Sequence, residues 1–246
     1  MLCLESVLEQ SKLPNEVIIA DDGSTEETKN VIDAFRKLFP VPLIHVWQED
    51  DGFQLARIRN KAIAKASMDY IIQIDGDLIL EKKFIYDHFK FRQKGTFVSG
   101  SRVMLGAAIS SELLLGKKKT SFIFSKDIKN RFNGLRLPFL TPFFSRYRNQ
   151  DIYYLRGCNM AFYRSDLLLV NGYFEDFVGW GREDNEIAAK LINLGVKKRI
   201  IKFSGIVYHI YHKEQAKNNL SDKDKLIQRI ISEQLVTLGS GIDKYL

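Results

Sequence analysis

The sequence has little cysteine and no long apolar run, and both shortages narrow what it can be. Its two cysteines, Cys3 and Cys158, form neither a disulfide framework nor a metal-ligand spacing, so a reducing cytosol is expected. No apolar run approaches the roughly 18 residues of a membrane span, and no signal peptide is visible. Internal repeats and low-complexity linkers are missing. So are G-x-G-x-x-G and G-x-x-x-x-G-K-S/T, two loops that commonly cradle a diphosphate. Acid is scarce in one segment. Residues 116–148 carry Lys117, Lys118, Lys119, Lys126, Lys129, Arg131, Arg136, Arg146 and Arg148 against Asp127 alone, enough to account for the net charge of +7.

Against these absences, 45% of the 246 residues are hydrophobic, enough for one sizeable core. We read one α/β domain over 1–246. "EVIIADD" (16–22), "PLIHVW" (42–47), "DYIIQID" (69–75) and "TFVSGSRV" (96–103) read as strands. "EETKNVIDAFRKLF" (26–39) and "FQLARIRNKAIAKA" (53–66) have helical spacing. This alternation predicts a parallel sheet covered on both faces, with ligands outside the carboxyl ends of its strands. Asp21–Asp22 and Asp75–Asp77 fall at such ends. Residues 1–103 thus form a first half and the aperiodic, basic 104–150 an insertion. A second half follows over 151–212. It reads as a strand (152–164), a short helix and turn (165–177), a loop and helix closed by Gly195 (179–195), and a strand (205–212). A helical tail is expected over 213–246. "MLCLESVLEQS" reads as an amphipathic helix with no strand feeding it.

Three constellations carry chemistry. In "IIQIDGDLIL", Asp75 and Asp77 stand beside an apolar run, which is costly unless something positive pairs with them. With both phosphate loops missing, a divalent cation held by carboxylates is the remaining device, and Gly76 lets a diphosphate approach closely. A plain surface turn explains the spacing equally well. His209 and His212 come late in the chain; imidazole suits Mn²⁺ better than Mg²⁺, although strand-end histidines are often structural. In "GWGREDNE", Gly179 and Gly181 leave the Trp180 ring little local cover, making it a platform for a sugar face. Glu183, Asp184 and Glu186 open a helix there, where acids also serve as caps and dipole partners. A working base at that position needs partial burial. Arg57, Arg59 and Asn60 of "FQLARIRN" could reach a nucleobase or phosphates, or be surface groups.

The stretches "EVIIADDGSTEET", "ARIRNKAIAKASMDYIIQIDGDLIL" and "RGCNMAFYRSDLLLVNGYFEDFVGWGREDNEIAAKLINLG", in this order and spacing, resemble the family 2 glycosyltransferases of the GT-A fold. The last is similar to the galactosyltransferase-type segment of chondroitin-polymerase-like and β4-galactosyltransferase enzymes. The resemblance spans about residues 1–212. It implies a Rossmann-like mixed, mainly parallel sheet flanked by helices, with 1–103 as the nucleotide-binding half and 151–212 as the acceptor-binding half. Asp21 and Asp22 would contact the nucleoside, with Asn60 and either Arg57 or Arg59 near base and phosphates; an extra "RI" leaves the arginine open. Asp75 would serve ribose and metal, and Asp77 the metal, with His209 matching better than His212 as a further ligand. Trp180, Gly181 and Asn159 would bind the acceptor, Asp184 would be the base, and Glu183 would orient the acceptor. The cofactor implied is Mn²⁺ or Mg²⁺. The activity implied is inverting transfer from a nucleotide-sugar, taken as a UDP-sugar, to a glycan or lipid-linked glycan in surface polysaccharide synthesis.

Family members carry a strand directly before the helix that here starts at Leu2, so a truncated or misassigned start with impaired donor binding is expected. That keeps a non-catalytic nucleotide-sugar-binding remnant as an alternative. A metal-dependent nucleotidyltransferase is another, and the W-G-x-E-D segment argues against it. The basic segment reads as a loop closing over a donor diphosphate, a membrane-facing patch or a solvated insertion; Phe122, Ile123, Phe124 and Phe132 among its lysines predict weak peripheral contact with an anionic membrane. The protein would then be cytoplasmic and peripheral on the inner face of the plasma membrane. Failure to bind anionic liposomes at low salt rejects that idea. No nucleic-acid recognition motif is present.

Overall fold

The computed structural model describes residues 1–117, 125–177, 179, 181–213 and 220–246. The elements run α1 (Leu2–Leu8), β1 (Val17–Asp22), α2 (Glu26–Arg36), β2 (Leu43–Gln48), α3 (Leu55–Lys65), β3 (Tyr70–Ile74), β4 (Leu78–Leu80) and α4 (Phe84–Phe91). Then follow β5 (Thr96–Gly100), β6 (Val103–Leu105), α5 (Ala107–Leu114), β7 (Ile128–Lys129) and α6 (Thr141–Phe144). The chain continues through β8 (Asn159–Tyr163), α7 (Arg164–Leu169), α8 (Glu183–Asn193), β9 (Lys197–Ile201), β10 (Val207–His209) and α9 (Leu220–Ser232).

Among the described residues the strands form three sheets: β1–β2, β3–β8–β5–β9 and β4–β10–β6–β7. The architecture is mixed α/β, with four antiparallel pairings beside three parallel ones. β8 lies antiparallel between β3 and β5, and this central position buries its Met160, Ala161 and Phe162. Met160 and Phe162 join Tyr173, Ile187 and Leu191 in the main core, and Ala161 packs with Val98 and Ile201. A second core gathers Ile32 and Phe35 of α2, Leu78 and Leu80 of β4, and Val7 of α1. Glu26 and Glu27 open α2, favourable at a helix N-terminus.

Three expectations need correction. The strand expected over 96–103 is two strands in different sheets. At the break Asn159 Nδ2 donates to the carbonyls of Ser101 (3.0 Å) and Gly205 (2.9 Å), drawing them out of any ladder. A Cβ at Gly100 would come within 2.2 Å of that amide. The strand expected over 152–164 is confined to β8, because the preceding residues close turns through Tyr154 N–H to Asp151 O and Asn159 N–H to Arg156 O. The basic insertion is not aperiodic throughout: it contains β7 and α5. Asp127, the lone acid of 116–148, accepts the Ile109 N–H at 3.2 Å. The cap of α5 is thus supplied from 18 residues away, which a local spacing rule does not see. Residues 118–124, including Phe122, Ile123 and Phe124 of the expected membrane-facing run, lie outside the described residues. Among the described residues no helix is long and apolar enough to cross a membrane.

β1 and β3 do not pair. Both line one cavity of about 1920 Å³, together with Cys3, Leu4 and Val7 of α1. Ile71, Ile72 and Ile74, an apolar run suited to full burial, are only half-buried.

Candidate active site

The same cavity extends to the acids at the strand ends, touching Asp75, Asp77, Glu183, Asp184, His209 and His212. Residues more than 100 positions apart meet there because β3, β4, β10 and α8 all end or begin at one edge. The two acids of the D-G-D turn find different partners. Asp75 faces Arg59 of α3, Oδ1 to Nη2 at 3.5 Å. The same guanidinium donates through Nη1 to Asp184 Oδ1 at 2.9 Å. Arg59 is buried and stands 5.3 Å from the Tyr173 ring centroid. Burial disfavours its charge, but Asp184, Tyr173 and Asp75 prevail and hold it protonated more firmly than usual. Burial lifts the Asp75 carboxyl above the ordinary range; Arg59 opposes this, and Asp184 and Asp77 add to it.

Asp77 pairs with imidazoles instead. The antiparallel register of β4 and β10 sets Leu78 opposite His209, so Asp77 and His209 are neighbours. Asp77 Oδ2 lies 3.2 Å from His209 Nε2 and 2.9 Å from His212 Nε2. Burial works against the Asp77 charge, yet the His209 hydrogen bond and the two imidazoles hold its carboxyl below the usual range. One donor atom from each residue lies within 4.8 Å of the others. Asp77 Oδ1 and His209 Nδ1 are buried with no hydrogen-bond partner among the described residues. Those orphaned atoms, and a set of one carboxylate and two imidazoles, fit a divalent cation of the Mn²⁺ type. Asp75 is not in this cluster.

At the end of β1, Asp21 accepts from the Ser24 N–H (2.9 Å) and contacts His45 Nε2 at 2.8 Å. Its burial is outweighed by these bonds, and its carboxyl sits below the ordinary range. Asp22 accepts from Gln48 Nε2 (2.6 Å) and the Gln54 N–H (2.8 Å). At the start of α8, buried Glu183 accepts the Gly181 N–H at 2.8 Å. Burial raises its carboxyl, backbone bonds oppose this, and the neighbouring Asp184 adds to it. Asp184 lies against Gly157, where an added Cβ would overlap the carboxylate. Gly157 is held in turn by Gln73, whose Nε2 donates to its carbonyl at 3.2 Å while Oε1 accepts from the Tyr173 hydroxyl at 2.7 Å.

Five candidate site residues from the sequence do not line this cavity. Asp21 and Asp22 stay at the end of β1 with the partners named above. Arg57 is exposed on the other side of α3. Asn60 is fully buried, bonded to the Tyr173 backbone and Glu175. Asn159 is fully buried at the sheet break and also contacts His88 at 3.0 Å. Trp180 lies outside the described residues. Sequence reading missed His45, Gln48, Gln73 and Gly157; for the first three the signal available was a polar residue in an apolar strand run, and Gly157, in the turn before β8, carried none. It also ranked His212 below His209, whereas both face Asp77.

The family model described as Glycosyl transferase family 2 matches residues 2–165, and the one described as N-terminal domain of galactosyltransferase matches residues 143–213. The chain is 25% identical over 222 residues to chondroitin synthase of Escherichia coli, covering 85% of this chain and 32% of that protein. It is 24% identical over 253 residues to chondroitin synthase of Pasteurella multocida, covering 96% and 25%. The chain therefore spans a third or less of these relatives. Among solved structures, S. aureus TarS 1–349 in complex with UDP-GlcNAc superposes with a TM-score of 0.64 at 14% identity, covering 99% of this chain and 64% of that one. GalNAc-T7 with UDP, GalNAc and Mn²⁺ gives 0.65 at 15% identity, covering 92% and 44%. These neighbours share the GT-A fold.

Proposed function

Because the chain belongs to glycosyltransferase family 2, we propose that it transfers a sugar, with inversion, from a UDP-sugar to a glycan or lipid-linked glycan acceptor in surface polysaccharide synthesis. The observation that carries this reading is the shared edge. One guanidinium holds Asp184 and faces Asp75, next to a carboxylate with two imidazoles. Asp184 Oδ1 is fixed by Arg59, leaving Oδ2 to take the proton of an acceptor hydroxyl. The freed oxygen pair then forms a bond to the anomeric carbon as the bond to the diphosphate oxygen breaks. One displacement inverts that centre. Asp77, His209 and His212 would hold a divalent cation, which supplies positive charge against the leaving diphosphate. Asp21 and Asp22 would meet the nucleoside, and Glu183 would orient the acceptor beside residues 179–181. Neighbours solved with UDP, UDP-GlcNAc or Mn²⁺ support the choice of donor and ion. Contact of the basic segment with an anionic membrane is proposed on the liposome test given above.

A second reading, a binding remnant without turnover, draws support from the cavity between β1 and β3, which leaves the donor half without continuous sheet. Calorimetric titration of UDP with Mn²⁺ or with EDTA, into wild type and Asp77→Ala, separates the outcomes. Metal-dependent binding weakened at least about 10-fold by Asp77→Ala is expected. Absence of binding to wild type rejects the UDP-sugar reading. Binding with no turnover across a panel of UDP-sugars favours the remnant.

A further inference from the structure

The C-terminal helix plays no part in the chemistry read from the sequence, yet it reaches the glycine loop that precedes Glu183 and Asp184. Lys223 Nζ on α9 donates to the carbonyl oxygens of Gly179 (2.8 Å) and Gly181 (3.1 Å) and stands 4.7 Å from the Phe177 ring centroid. One position on, Asp224 pairs with Arg182, Oδ1 to Nε at 2.8 Å. The first residue of the helix, Leu220, packs 3.3 Å from where a Gly181 Cβ would sit. The N–H groups of the same two glycines are held as well. The Gly181 N–H donates to Glu183, and the Gly179 N–H to the Phe53 carbonyl at 3.2 Å. Phe53 directly precedes Gln54, whose N–H binds Asp22.

This loop needs holding. Gly179, Gly181 and Arg182 have φ of +83°, +99° and +78°, the left-handed region, which a residue with a side chain such as Arg182 occupies at a cost. The helix does not need Lys223 in order to dock. Ile227 and Ile230 are fully buried, and Asn193 of α8 donates to the carbonyls of Ile230 and Leu235. Burying an ammonium group against carbonyls is an expensive way to add stability, and burial indeed lowers the pKa of Lys223. Charge-assisted bonds to two carbonyls do fix peptide planes tightly.

We propose that Lys223 and Asp224 are positioning residues for the acceptor: from the C-terminal helix they fix Gly179, Gly181 and Arg182, and through them the angle at which Glu183 and Asp184 meet the acceptor hydroxyl. This rests on the glycosyltransferase reading given above. Among the described residues the Asp77, His209 and His212 cluster makes no contact with the clamp, and Asp22 is reached from it only through the Phe53–Gln54 backbone. Loss of the clamp therefore acts on the acceptor and not on UDP.

The test varies the best substrate from a panel of 4-nitrophenyl hexosides and N-acetylhexosaminides at saturating UDP-sugar. Lys223→Met and Asp224→Ala are expected to raise the acceptor KM about 10-fold, with UDP affinity in Mn²⁺ held within about 2-fold. Lys223→Arg, and the paired swap Arg182→Asp with Asp224→Arg, should recover most of the loss. Hydrogen exchange should quicken in 177–184 and not in 70–80. An unchanged acceptor KM in Lys223→Met overturns the clamp, as does a parallel fall in UDP affinity. If wild type itself binds no UDP, the functional reading fails instead, and exchange unaltered in 177–184 still overturns the clamp.

Discussion

The two acidic ends of the crevice solve the same electrostatic problem with different partners. At the strand end Asp77 sits between the imidazoles of His209 and His212, with buried atoms left unbonded among the described residues. At the helix end Asp184 is held by a guanidinium buried beneath it. Imidazoles are weakly charged near neutral pH and are metal ligands when neutral, so this partnership can open to a cation. Arginine stays charged at any working pH, and its fork fixes geometry as well as charge. One end is thus built to exchange partners and the other to stay put. This is the division of labour expected between a leaving-group site and a base.

The sharpest way to break the comparison is Asp184→Asn. We expect kcat to fall about 10³-fold while UDP affinity changes less than about 3-fold. Equal losses in both would show that the two ends are one unit. Next comes Arg59→Met, which strips Asp184 and Asp75 of their shared partner. About 3 kcal/mol of stability should be lost in urea unfolding, with kcat and UDP affinity both reduced. Arg59→Lys should not restore them, since a single ammonium cannot span both carboxylates. A Lys variant with wild-type kinetics would show that charge alone suffices.

The smallest effect concerns the support behind both ends. His88 is fully buried, edge-on to Phe84 and 3.0 Å from Asn159 Oδ1, with Nδ1 unbonded among the described residues. Burial outweighs the Asn159 bond and lowers its pKa from 6.5 to about 4. Because the folded value is depressed, the unfolded chain binds this proton first. Stability is therefore full above pH 6.5 and falls as pH drops towards 4. Between pH 7 and pH 5 the loss is about 2 kcal/mol. Urea unfolding of wild type and His88→Gln at both pH values measures it; an equal drop in the two proteins would assign the loss to other groups.

Much of the fold was legible because it rests on local periods. The apolar runs of β1, β2 and β3 and the helical stripes of α2 and α3 each repeat within a dozen residues, and their order implies an α/β sheet. β8 was harder to delimit, since the turns before it share its aromatic composition. α5 was hidden because its cap comes from Asp127. Asp75, Asp77, Glu183 and Asp184 were legible as acids at strand and helix ends, and they line one cavity; Asp21 and Asp22 carried the same signal at the end of β1 but do not line it.

The sequence by itself settled which segments alternate and where carboxylates fall relative to their ends, because those properties depend on neighbours two to four positions away. Which polar groups face one another was decided only in three dimensions. Arg57 and Arg59 differ by two positions, about 200° around a helix, and packing alone turned Arg59 inward to Asp184. Asn60 and Asn159 look like site residues by motif, but burial commits their amides to backbone groups. Lys223 meets its carbonyls across more than 40 residues of chain, a distance over which no spacing rule acts. Such contacts depend on how helices dock, and docking is set by the whole core.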